Sequence, residues 1–444
     1  MNKIILDLIE QGKYAEARKE IVSINVVDTA QLFEEMDKQK ILILFRILPK
    51  DIASGVFSHM SNELQRYVVE SITDKEIQNI LDELFLDDTI DFLEEMPANI
   101  VKKVLKNTNE TTRKLINQFL NYPDDSAGSL MTIEYVDLRK EMTVKEALER
   151  IRETGVDKEI INTCYVIDSN RILEGIISLR KLILSDSTTV LKDIMDTGVI
   201  SIKTHDDQED VASLFKKYDY LVMPVVDNEH RLVGIVTIDD VLDVIDQEAT
   251  EDLQKMAAMQ PSEKEYLKTS VLVLAKHRIP WLLILMISAT FTGFIIKKYE
   301  SALQSAMVLA SFIPMLMDTG GNAGSQSSAL IIRGLALGDM KPHDILKVFW
   351  KELRVSAIVG IILSTVNFLR IYFIEKVDIL VSVTVCSTLF AIVVLAKVVG
   401  GVLPIIAKKI KLDPAIMAGP LITTIVDTVA LLMYFTAATW LLGI

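Results

Sequence analysis

The sequence is poor in the residues that build metal centres, disulfide frameworks and hydrolytic active sites. Its two cysteines, Cys164 and Cys386, lie in different halves of the 444-residue chain and form neither a disulfide framework nor a ligand pair. The five histidines stand apart from one another, so a His-Glu-x-x-His element is missing, and so is a Gly-x-Ser-x-Gly element. These absences argue against a metalloprotease or a serine hydrolase.

The chain also has little positive charge in its front part. Residues 1–270 carry 32 basic and 52 acidic side chains, whereas residues 271–444 carry 15 basic and 9 acidic ones. An acidic soluble front argues against nucleic acid as a partner and for cations. The opening MNKIILDLIEQGK has an apolar run too short and too acidic for a signal peptide, so we expect the front part to stay in the cytoplasm.

Five apolar runs in the back part reach or approach the roughly 20 residues that a helix needs to cross a bilayer. We predict spans at 279–296, 303–330, 353–374, 379–406 and 415–442. Lys and Arg are denser before the first span and in the second and fourth loops, which the positive-inside rule places in the cytoplasm. The protein is then a multi-pass protein of the cell (plasma or inner) membrane, with its C-terminus, Ile444, outside.

One carboxylate lies where lipid is a poor solvent for it. Asp427 is about 12 residues into the last run, or roughly 18 Å at ~1.5 Å per residue. An ionised Asp there costs about 2.5–3.5 kcal/mol, so it should face water, a partner or an ion. Thr423 and Thr424 share its helix face, and Pro420 leaves the carbonyl of Ile416 free. These oxygens suit a hard divalent cation; a protonated Asp bonded between helices is the alternative.

The stretch PMLMDTGGNAGSQSSALIIR, from Pro314 onward, is polar for a membrane span. Pro314 is expected to free the carbonyl of Ala310, and Asp318 follows one turn later. Asn322 and Gln326, four residues apart, place amides along one face. Small side chains that let another helix approach closely repeat every four residues, at Gly320, Gly324 and Ser328. We interpret the stretch as the lining of a narrow aqueous path; a packing seam between helices is the alternative.

An internal repeat occupies the middle of the chain. Residues 165–183 and 224–242 align at a constant offset, with Asp168 matching Asp227 and Gly175 matching Gly234. Each unit has the pattern strand, turn, strand, helix. The repeat resembles a tandem pair of cystathionine-β-synthase-type (CBS) domains over 126–246.

Such CBS pairs resemble regulatory modules that bind adenine nucleotides. The second repeat keeps a Gly-x-x-Thr-x-x-Asp element that ends with Thr237 and Asp240, and Asp239 lies beside it. The first repeat has Ser178 and Lys181 at the corresponding places and lacks the acid that would hold a ribose. ATP at Thr237, Asp239 and Asp240 and a purely structural dimerisation module therefore stay open as alternatives.

The membrane motifs carry a further resemblance. The element P-x-x-x-D-x-G-G-N-x-G-x-Q, the five-span layout and DPAIMAGPLITTIVD at the last span together resemble the MgtE family of magnesium channels and transporters. With the CBS pair, the resemblance covers nearly the whole chain. The predicted protein is a multidomain α+β membrane protein with four parts: an all-α superhelical N-terminal domain (1–125), tandem CBS α/β domains (126–246), a connecting amphipathic helix (247–270) and a five-helix transmembrane pore bundle (271–444).

Acidic side chains are concentrated on two soluble segments. The first ~120 residues have the pattern of short helices, and one of them presents Asp87 and Asp91 one turn apart. The segment VTIDDVLDVIDQEATED collects like charges, each pair of which costs about 0.2–0.5 kcal/mol. The simplest interpretation is a solvated acidic face; the alternative is a cation that bridges the two segments.

In the MgtE family such acidic surfaces resemble a magnesium sensor, in which cytosolic Mg²⁺ holds them together and keeps the pore shut. By their place in matching motifs, the resemblance assigns this bridging role to Asp240, Asp243, Glu248 and Glu251, and less directly to Asp207, Glu209 and Asp219. Asp87 and Asp91 are candidates from their spacing alone.

The residues and the resemblance together predict a homodimeric Mg²⁺ channel for magnesium uptake, gated by cytosolic Mg²⁺. Two Asp427 side chains across a two-fold axis would hold a hydrated ion. A less selective channel for Mg²⁺ and Co²⁺, or an exporter, is the alternative of the same class. A CBS-regulated intramembrane enzyme is the alternative of another class, which the missing motifs disfavour. Lys397, in the fourth span, has no account from the sequence beyond snorkelling or an ion pair.

Overall fold

The structure is a computed structural model that describes residues 5, 7–9, 11–262, 266–267 and 269–443. It divides into two compact units, Met1–Val244 and Ile245–Ile444. The predicted outside position of Ile444 lies outside the described residues.

From Tyr14 onward the first unit contains a series of short helices, as the apolar periodicity of the sequence predicted. Their amphipathic faces bury one continuous core, in which Phe57 meets Phe45 and Phe92 edge-on at centroid distances of 6.4 and 5.2 Å. Caps fix the helix starts: Thr73 accepts from the backbone N–H of Glu76, whose carboxylate accepts in return from the N–H of Thr73. The helices are α1 (Tyr14–Val22), α2 (Val26–Glu34), α3 (Lys38–Ile47), α4 (Lys50–Ser58), α5 (Asn62–Ser71), α6 (Asp74–Leu81), α7 (Leu86–Glu94), α8 (Ala98–Asn107) and α9 (Glu110–Phe119).

Two three-stranded sheets follow, one for each half of the sequence repeat. In each sheet the first strand is parallel to the middle strand and the third is antiparallel to it. The fold class predicted for this part is therefore confirmed. Its elements are α10 (Ala127–Leu130), β1 (Tyr135–Leu138), α11 (Val144–Thr154), β2 (Ile160–Ile167), β3 (Leu173–Ser178), α12 (Leu179–Leu184), β4 (Ile202–Lys203), α13 (Gln208–Tyr218), β5 (Val222–Val226), β6 (Leu232–Thr237) and α14 (Ile238–Met256).

The two repeats exchange short segments with each other. Thr132, which precedes the first repeat, pairs with Ile235 in the second sheet through backbone bonds of 2.8 and 2.9 Å. Asp196, which precedes the second repeat, pairs with Ile176 in the first sheet in the same way. The repeated glycine allows both crossings, since a Cβ on Gly234 would lie 2.7 Å from the carbonyl oxygen of Thr132.

Helix α14 differs in extent from the predicted connecting helix, 247–270. It begins at Ile238, directly after β6, and ends at Met256. Ala258 then adopts a left-handed conformation with φ 52°, and Pro261 follows, so the helix cannot continue. The Gln254 amide folds the next segment back by bonding both backbone groups of Ser262, at 2.7 and 2.9 Å.

The second unit contains the long helices. Four segments of the described residues are long and apolar enough to cross a membrane: Val271–Lys298, Pro342–Ile374, Ile379–Lys409 and Pro414–Leu442. The helix Ile313–Ala336 is not among them, because the polar stretch around Asp318 lowers its hydropathy. The helices are α15 (Val271–Lys298), α16 (Glu300–Ser305), α17 (Ile313–Ala336), α18 (Ile345–Leu369), α19 (Ile379–Lys409) and α20 (Gly419–Leu442).

The predicted second span, 303–330, is divided in the structure. The short helix α16 and a 3₁₀ turn, Met307–Phe312, precede α17, so the long helix starts at Ile313. Pro314 lies in its first turn, where proline costs no helical hydrogen bond. The sequence pattern identified the apolar run but not the break inside it.

Glycine contacts bring α17 against α19 and α20. A Cβ on Gly320 would lie 2.7 Å from Ile392 and 2.9 Å from Val426, and one on Gly400 would lie 2.2 Å from the carbonyl oxygen of Gly324. At this crossing the backbones themselves are in contact. The small-residue repeat therefore serves close helix packing, which was the alternative interpretation of that repeat.

A methyl group at the crossing should disrupt this packing. We expect Gly400→Ala to destabilise the protein by about 1–3 kcal/mol, the usual cost of overpacking, because the obstructing atom is a backbone oxygen. Gly293→Ala is the matched control in α15, since nothing lies within 4 Å of its Cβ position. Thermal unfolding of the detergent-solubilised protein measures both. A Gly400→Ala variant as stable as Gly293→Ala would contradict the contact.

Candidate functional site

A row of polar side chains follows one face of α17. Asp318, Asn322 and Gln326 recur every four residues and are exposed, whereas Gly320 and Gly324 on the other side of the helix are buried. The exposed row lies on a helix embedded among apolar ones, where lipid offers its amides and carboxylate no hydrogen-bonding partner. This surface, the polar face of α17, is the central feature of the second unit.

Asp427 lies beside the polar face. The helices α17 and α20 run antiparallel, since Gly320 packs on Val426 and Ser328 bonds the carbonyl of Met417 at 2.8 Å. Asp427 is half-buried and interacts electrostatically with Asp318. In the described part of the chain, neither carboxylate has a hydrogen-bond or ion-pair partner. Asp427 is eight residues after Gly419, about 12 Å along the helix at ~1.5 Å per residue.

The proposed oxygen donors around Asp427 are arranged differently from the prediction. Pro420 lies in the first turn of α20, and Ile416 belongs to the preceding 3₁₀ turn, Pro414–Met417. Thr423 and Thr424 donate their hydroxyl hydrogens to the carbonyl of Pro420 at 2.9 and 2.8 Å. Their oxygens keep lone pairs for a water or an ion, but the hydroxyls are held against the helix.

The prediction that Pro314 frees the carbonyl of Ala310 is wrong. Pro314 is in the first turn of α17, and the carbonyl of Ala310 accepts a hydrogen bond from the backbone N–H of Ile313. The proline therefore starts a helix instead of breaking one.

The end of α14 contacts the ends of the two helices that carry these acids. Met256 packs in one cluster with Ile332 of α17 and with Ala415 and Ala418, which precede α20. Lys255 also forms an ion pair of 2.6 Å with Asp413. Helix α14 is thus attached to the point where α17 ends and α20 begins.

Two predicted bridging acids lie on this part of α14 and face a different partner. Glu251 forms an ion pair with Lys255. Glu248 is close enough to Asp252 for repulsion between the two carboxylates to raise the pKa of Asp252. Burial, followed by the nearby Asp413, raises the pKa of Asp252 to about 6. Glu248 and Glu251 therefore belong to the second unit, with Lys255 and Asp252 as neighbours.

A cluster of three carboxylates forms in the first unit, from Asp87, Glu159 and Asp240. Each offers one oxygen, and these oxygens lie within 4.8 Å of one another. Asp87 is near the start of α7, Glu159 directly precedes β2, and Asp240 is in the first turn of α14. The Oε2 atom of Glu159 is buried without a hydrogen-bond partner. We call these three residues the acidic cluster.

The electrostatics of the acidic cluster favour a cation. Burial, then repulsion by Glu159 and Asp240, raises the pKa of Asp87. Burial and then Asp240 likewise raise the pKa of Asp91, to about 7. The pKa of Asp240 rises to about 6 through burial, although Thr237 donates to its carboxylate at 2.6 Å. A divalent cation bound by carboxylate oxygens would offset this repulsion without protons.

The structure places Asp91 and Asp243 at the edge of the acidic cluster, where they repel each other. Glu159 was missed by the sequence analysis, because it stands alone before a strand and only the fold brings it to α7. The nucleotide candidates Thr237, Asp239 and Asp240 adjoin the same cluster, since repulsion by Asp239 contributes to the raised pKa of Glu159. A nucleotide at these side chains and a cation in the cluster would therefore share Asp240.

Three other predicted acids lie on α13, with structural roles of their own. Asp207 caps the helix by accepting from the backbone N–H of Glu209 at 2.9 Å. Asp219 ends the helix in a left-handed conformation with φ 52°. Asp207, Glu209 and Asp219 are not members of the acidic cluster.

The acidic cluster should make stability depend on pH when divalent cations are absent. A carboxyl whose pKa is raised on folding favours the folded state at low pH, and this contribution is lost as the pH rises. In EDTA we therefore expect the melting temperature of the first unit to fall between about pH 4 and 7, the interval set by Asp91.

The variant Asp87→Asn, uncharged at every pH, should flatten this fall by several degrees and should raise the melting temperature at pH 8. Asp82→Asn, on the exposed end of α6, is the control. Calorimetry in EDTA measures the curves, and Mg²⁺ should shift the wild-type curve more than that of Asp87→Asn. Identical pH profiles for the wild type and Asp87→Asn would rule out repulsion at this position.

Comparison with known proteins connects these features. Residues 313–437 match the family MgtE, described as a divalent cation transporter; residues 24–125 match the MgtE intracellular N domain, and residues 127–186 and 191–247 match the CBS domain. The magnesium transporter MgtE of Thermus thermophilus is 37% identical over 440 residues, which cover 98% of this chain and 97% of the relative. The magnesium transporter MgtE of Bacillus subtilis is 35% identical over 436 residues, 98% of this chain and 96% of the relative.

Solved structures match the first unit. The cytosolic domain of the Mg²⁺ channel MgtE in complex with ATP is 37% identical, with a TM-score of 0.53, and the match covers 55% of this chain and 100% of that chain. The soluble part of a magnesium transporter is 30% identical, with a TM-score of 0.53 and coverage of 56% and 98%.

Proposed function

Because the chain belongs to the MgtE family of divalent cation transporters, we propose that it is a Mg²⁺-selective channel for magnesium uptake, and not an enzyme. The observation that carries the proposal is the polar face of α17, with Asp318, Asn322 and Gln326 exposed beside Asp427. Mg²⁺ prefers oxygen ligands and keeps several of its waters. Carboxylates and amides along one face can hold such a hydrated ion without removing its shell.

We propose that a second copy of the chain covers the polar face. A two-fold axis would set the same face of each copy opposite the other, which hides the row from lipid and forms a water-filled path between them. Four carboxylates, from two Asp318 and two Asp427, would then surround one path. Exposed apolar side chains on the CBS helices, such as Leu184 and Leu242, support contact between copies in the soluble part as well.

Removal of the central acid should abolish transport. We expect Asp427→Ala to reduce Mg²⁺ uptake to near the background of cells that lack their own magnesium transporters, because the path loses the carboxylate that attracts the ion. Asp339→Ala, the same change at an exposed position after α17, is the control and should transport normally. Uptake of Mg²⁺ at matched membrane expression is the measurement. Normal uptake by Asp427→Ala would refute the pore assignment.

Cytosolic Mg²⁺ is proposed to close the channel through the acidic cluster. An ion bound by Asp87, Glu159 and Asp240 would hold α7 against the start of α14. The same helix α14 ends in Met256, which packs on Ile332 and on Ala415 at the ends of α17 and before α20. The helix thus joins the sensor to the path. Without the ion, repulsion among the acids would separate α7 from α14 and release the inner end of the path.

Weakening the acidic cluster should keep the channel open. We expect Glu159→Gln to raise the Mg²⁺ concentration needed for closure by at least about tenfold, the scale on which metal sites respond to a lost partner. Asn at both Asp240 and Asp243 should leave the channel open at high Mg²⁺. Glu153→Gln, an exposed change on α11, is the control. Currents from excised patches at graded cytosolic Mg²⁺ measure closure; a wild-type response by Glu159→Gln would contradict the site.

The remaining features of the proposal are ATP, ion choice and orientation. The solved cytosolic domain of the Mg²⁺ channel MgtE in complex with ATP supports ATP binding by the soluble part of this chain. We propose Thr237, Asp239 and Asp240 of the CBS pair as the residues that contact the ATP. The soluble domains are proposed to be cytoplasmic and the C-terminus outside. A less selective Mg²⁺ and Co²⁺ channel, or an exporter, is distinguished from the proposed channel by ion-substitution currents.

A further inference from the structure

A buried ammonium group borders the polar face of α17. Lys397 lies on α19 and is 6% exposed. Its Nζ donates a long hydrogen bond of 3.5 Å to Oε1 of Gln326, an exposed residue of the polar face. The positive charge therefore reaches the same surface that carries Asp318, although the lysine itself belongs to the helix behind it.

Close contacts fix the position of this ammonium group. On one side of α17, Gly324 touches the backbone of α19 at Gly400. Ser327 donates to Oε2 of Glu352 on α18 at 2.7 Å, and Ser328 donates to the carbonyl of Met417 at 2.8 Å. Because neighbouring elements hold α17 on three sides at this level, the backbone of Gln326 stays beside Lys397.

The charge of Lys397 is not cancelled by an ion pair in the described part of the chain. Glu352 of α18 approaches α19 at Gly401, one turn beyond Lys397, where a Cβ on the glycine would lie 2.8 Å from the Cγ of Glu352. That carboxylate accepts from Ser327 instead. Lysines buried in membrane helices point to a functional role when they face an aqueous path.

We propose that Lys397 sets the net charge of the ion path and thereby the strength with which the path holds a cation, an inference that rests on the proposed channel function. In a dimer, two Asp318 and two Asp427 supply four negative charges, and two Lys397 reduce the net charge to the two that one divalent cation balances. Asp318 and Gln326 are eight residues apart, about 12 Å at ~1.5 Å per residue. The ammonium groups thus lie beyond the acids, towards the Arg333 end of α17.

This arrangement favours transport of a divalent cation over tight binding of one. In a path with low-dielectric walls, charges act on one another over such distances. The ammonium groups weaken the hold of the four acids on Mg²⁺ and so speed its release. They also lower the flux of Na⁺ in the absence of Mg²⁺, because they reduce the negative potential that draws any cation into the path.

The test uses the full-length protein in liposomes, with Mg²⁺ uptake at graded Mg²⁺ and Na⁺ uptake in Mg²⁺-free buffer. We expect Lys397→Met to lower the half-saturating Mg²⁺ concentration and to raise Na⁺ flux, each by at least about threefold, since the path becomes more negative. Lys397→Arg keeps the charge and should stay close to the wild type. Lys409→Met, at the exposed end of the same helix, is the matched control.

Each outcome decides between a charge role and a structural one. Unchanged half-saturation and Na⁺ flux in Lys397→Met would overturn the inference while wild-type Mg²⁺ flux upholds the proposed function. A parallel fall in both fluxes would show a structural role and also overturn it. If Lys397→Met fails to fold, Lys397→Gln, a polar uncharged variant, is judged by the same criteria. Absence of Mg²⁺ flux in the wild-type protein would refute the proposed function and this role with it.

Discussion

Hydrocarbon offers a polar side chain nothing to bond with, and this constraint shapes the second unit. Helix α17 carries glycines on one side and amides with a carboxylate on the other. The glycines let α19 approach until backbone touches backbone at Gly324 and Gly400. With that side closed, the polar side has to point outward, where lipid cannot satisfy it. The 24 residues of α17 therefore account both for the close helix packing on one side and for the need for water on the other.

In the first unit the unfavourable feature is the electrostatic repulsion among buried carboxylates. Asp87, Glu159 and Asp240 are held close together although no lysine or arginine forms an ion pair with them in the described residues. Either protons or a divalent cation can relieve the repulsion. Under the proposed function the two units use carboxylates in opposite ways: those of the second unit attract an ion that passes, and those of the first unit bind an ion that stays.

Sequence patterns predicted whole elements well and junctions poorly. The offset between Gly175 and Gly234 identified two equivalent sheets, and spacing alone selected Asp87 and Asp91 on the helix that meets Asp240. The prediction that Pro314 frees the carbonyl of Ala310 failed, because a proline in a first turn and one inside a helix look alike until the helix start is known. Glu159 carried no local signal, since its neighbours in space come from distant parts of the chain. Lys397 was visible as an anomaly, but its contact with Gln326 depends on how two helices cross.

The exchange of segments between the two repeats has a consequence for biosynthesis. Thr132 bonds Ile235, more than a hundred residues later, and Asp196 bonds back to Ile176. As the chain leaves the ribosome, the first sheet must hold its leading segment unpaired until the last strand of the second has emerged. Because each repeat supplies a segment to the sheet of the other, the pairing of the CBS pair can be completed only after both repeats have left the ribosome.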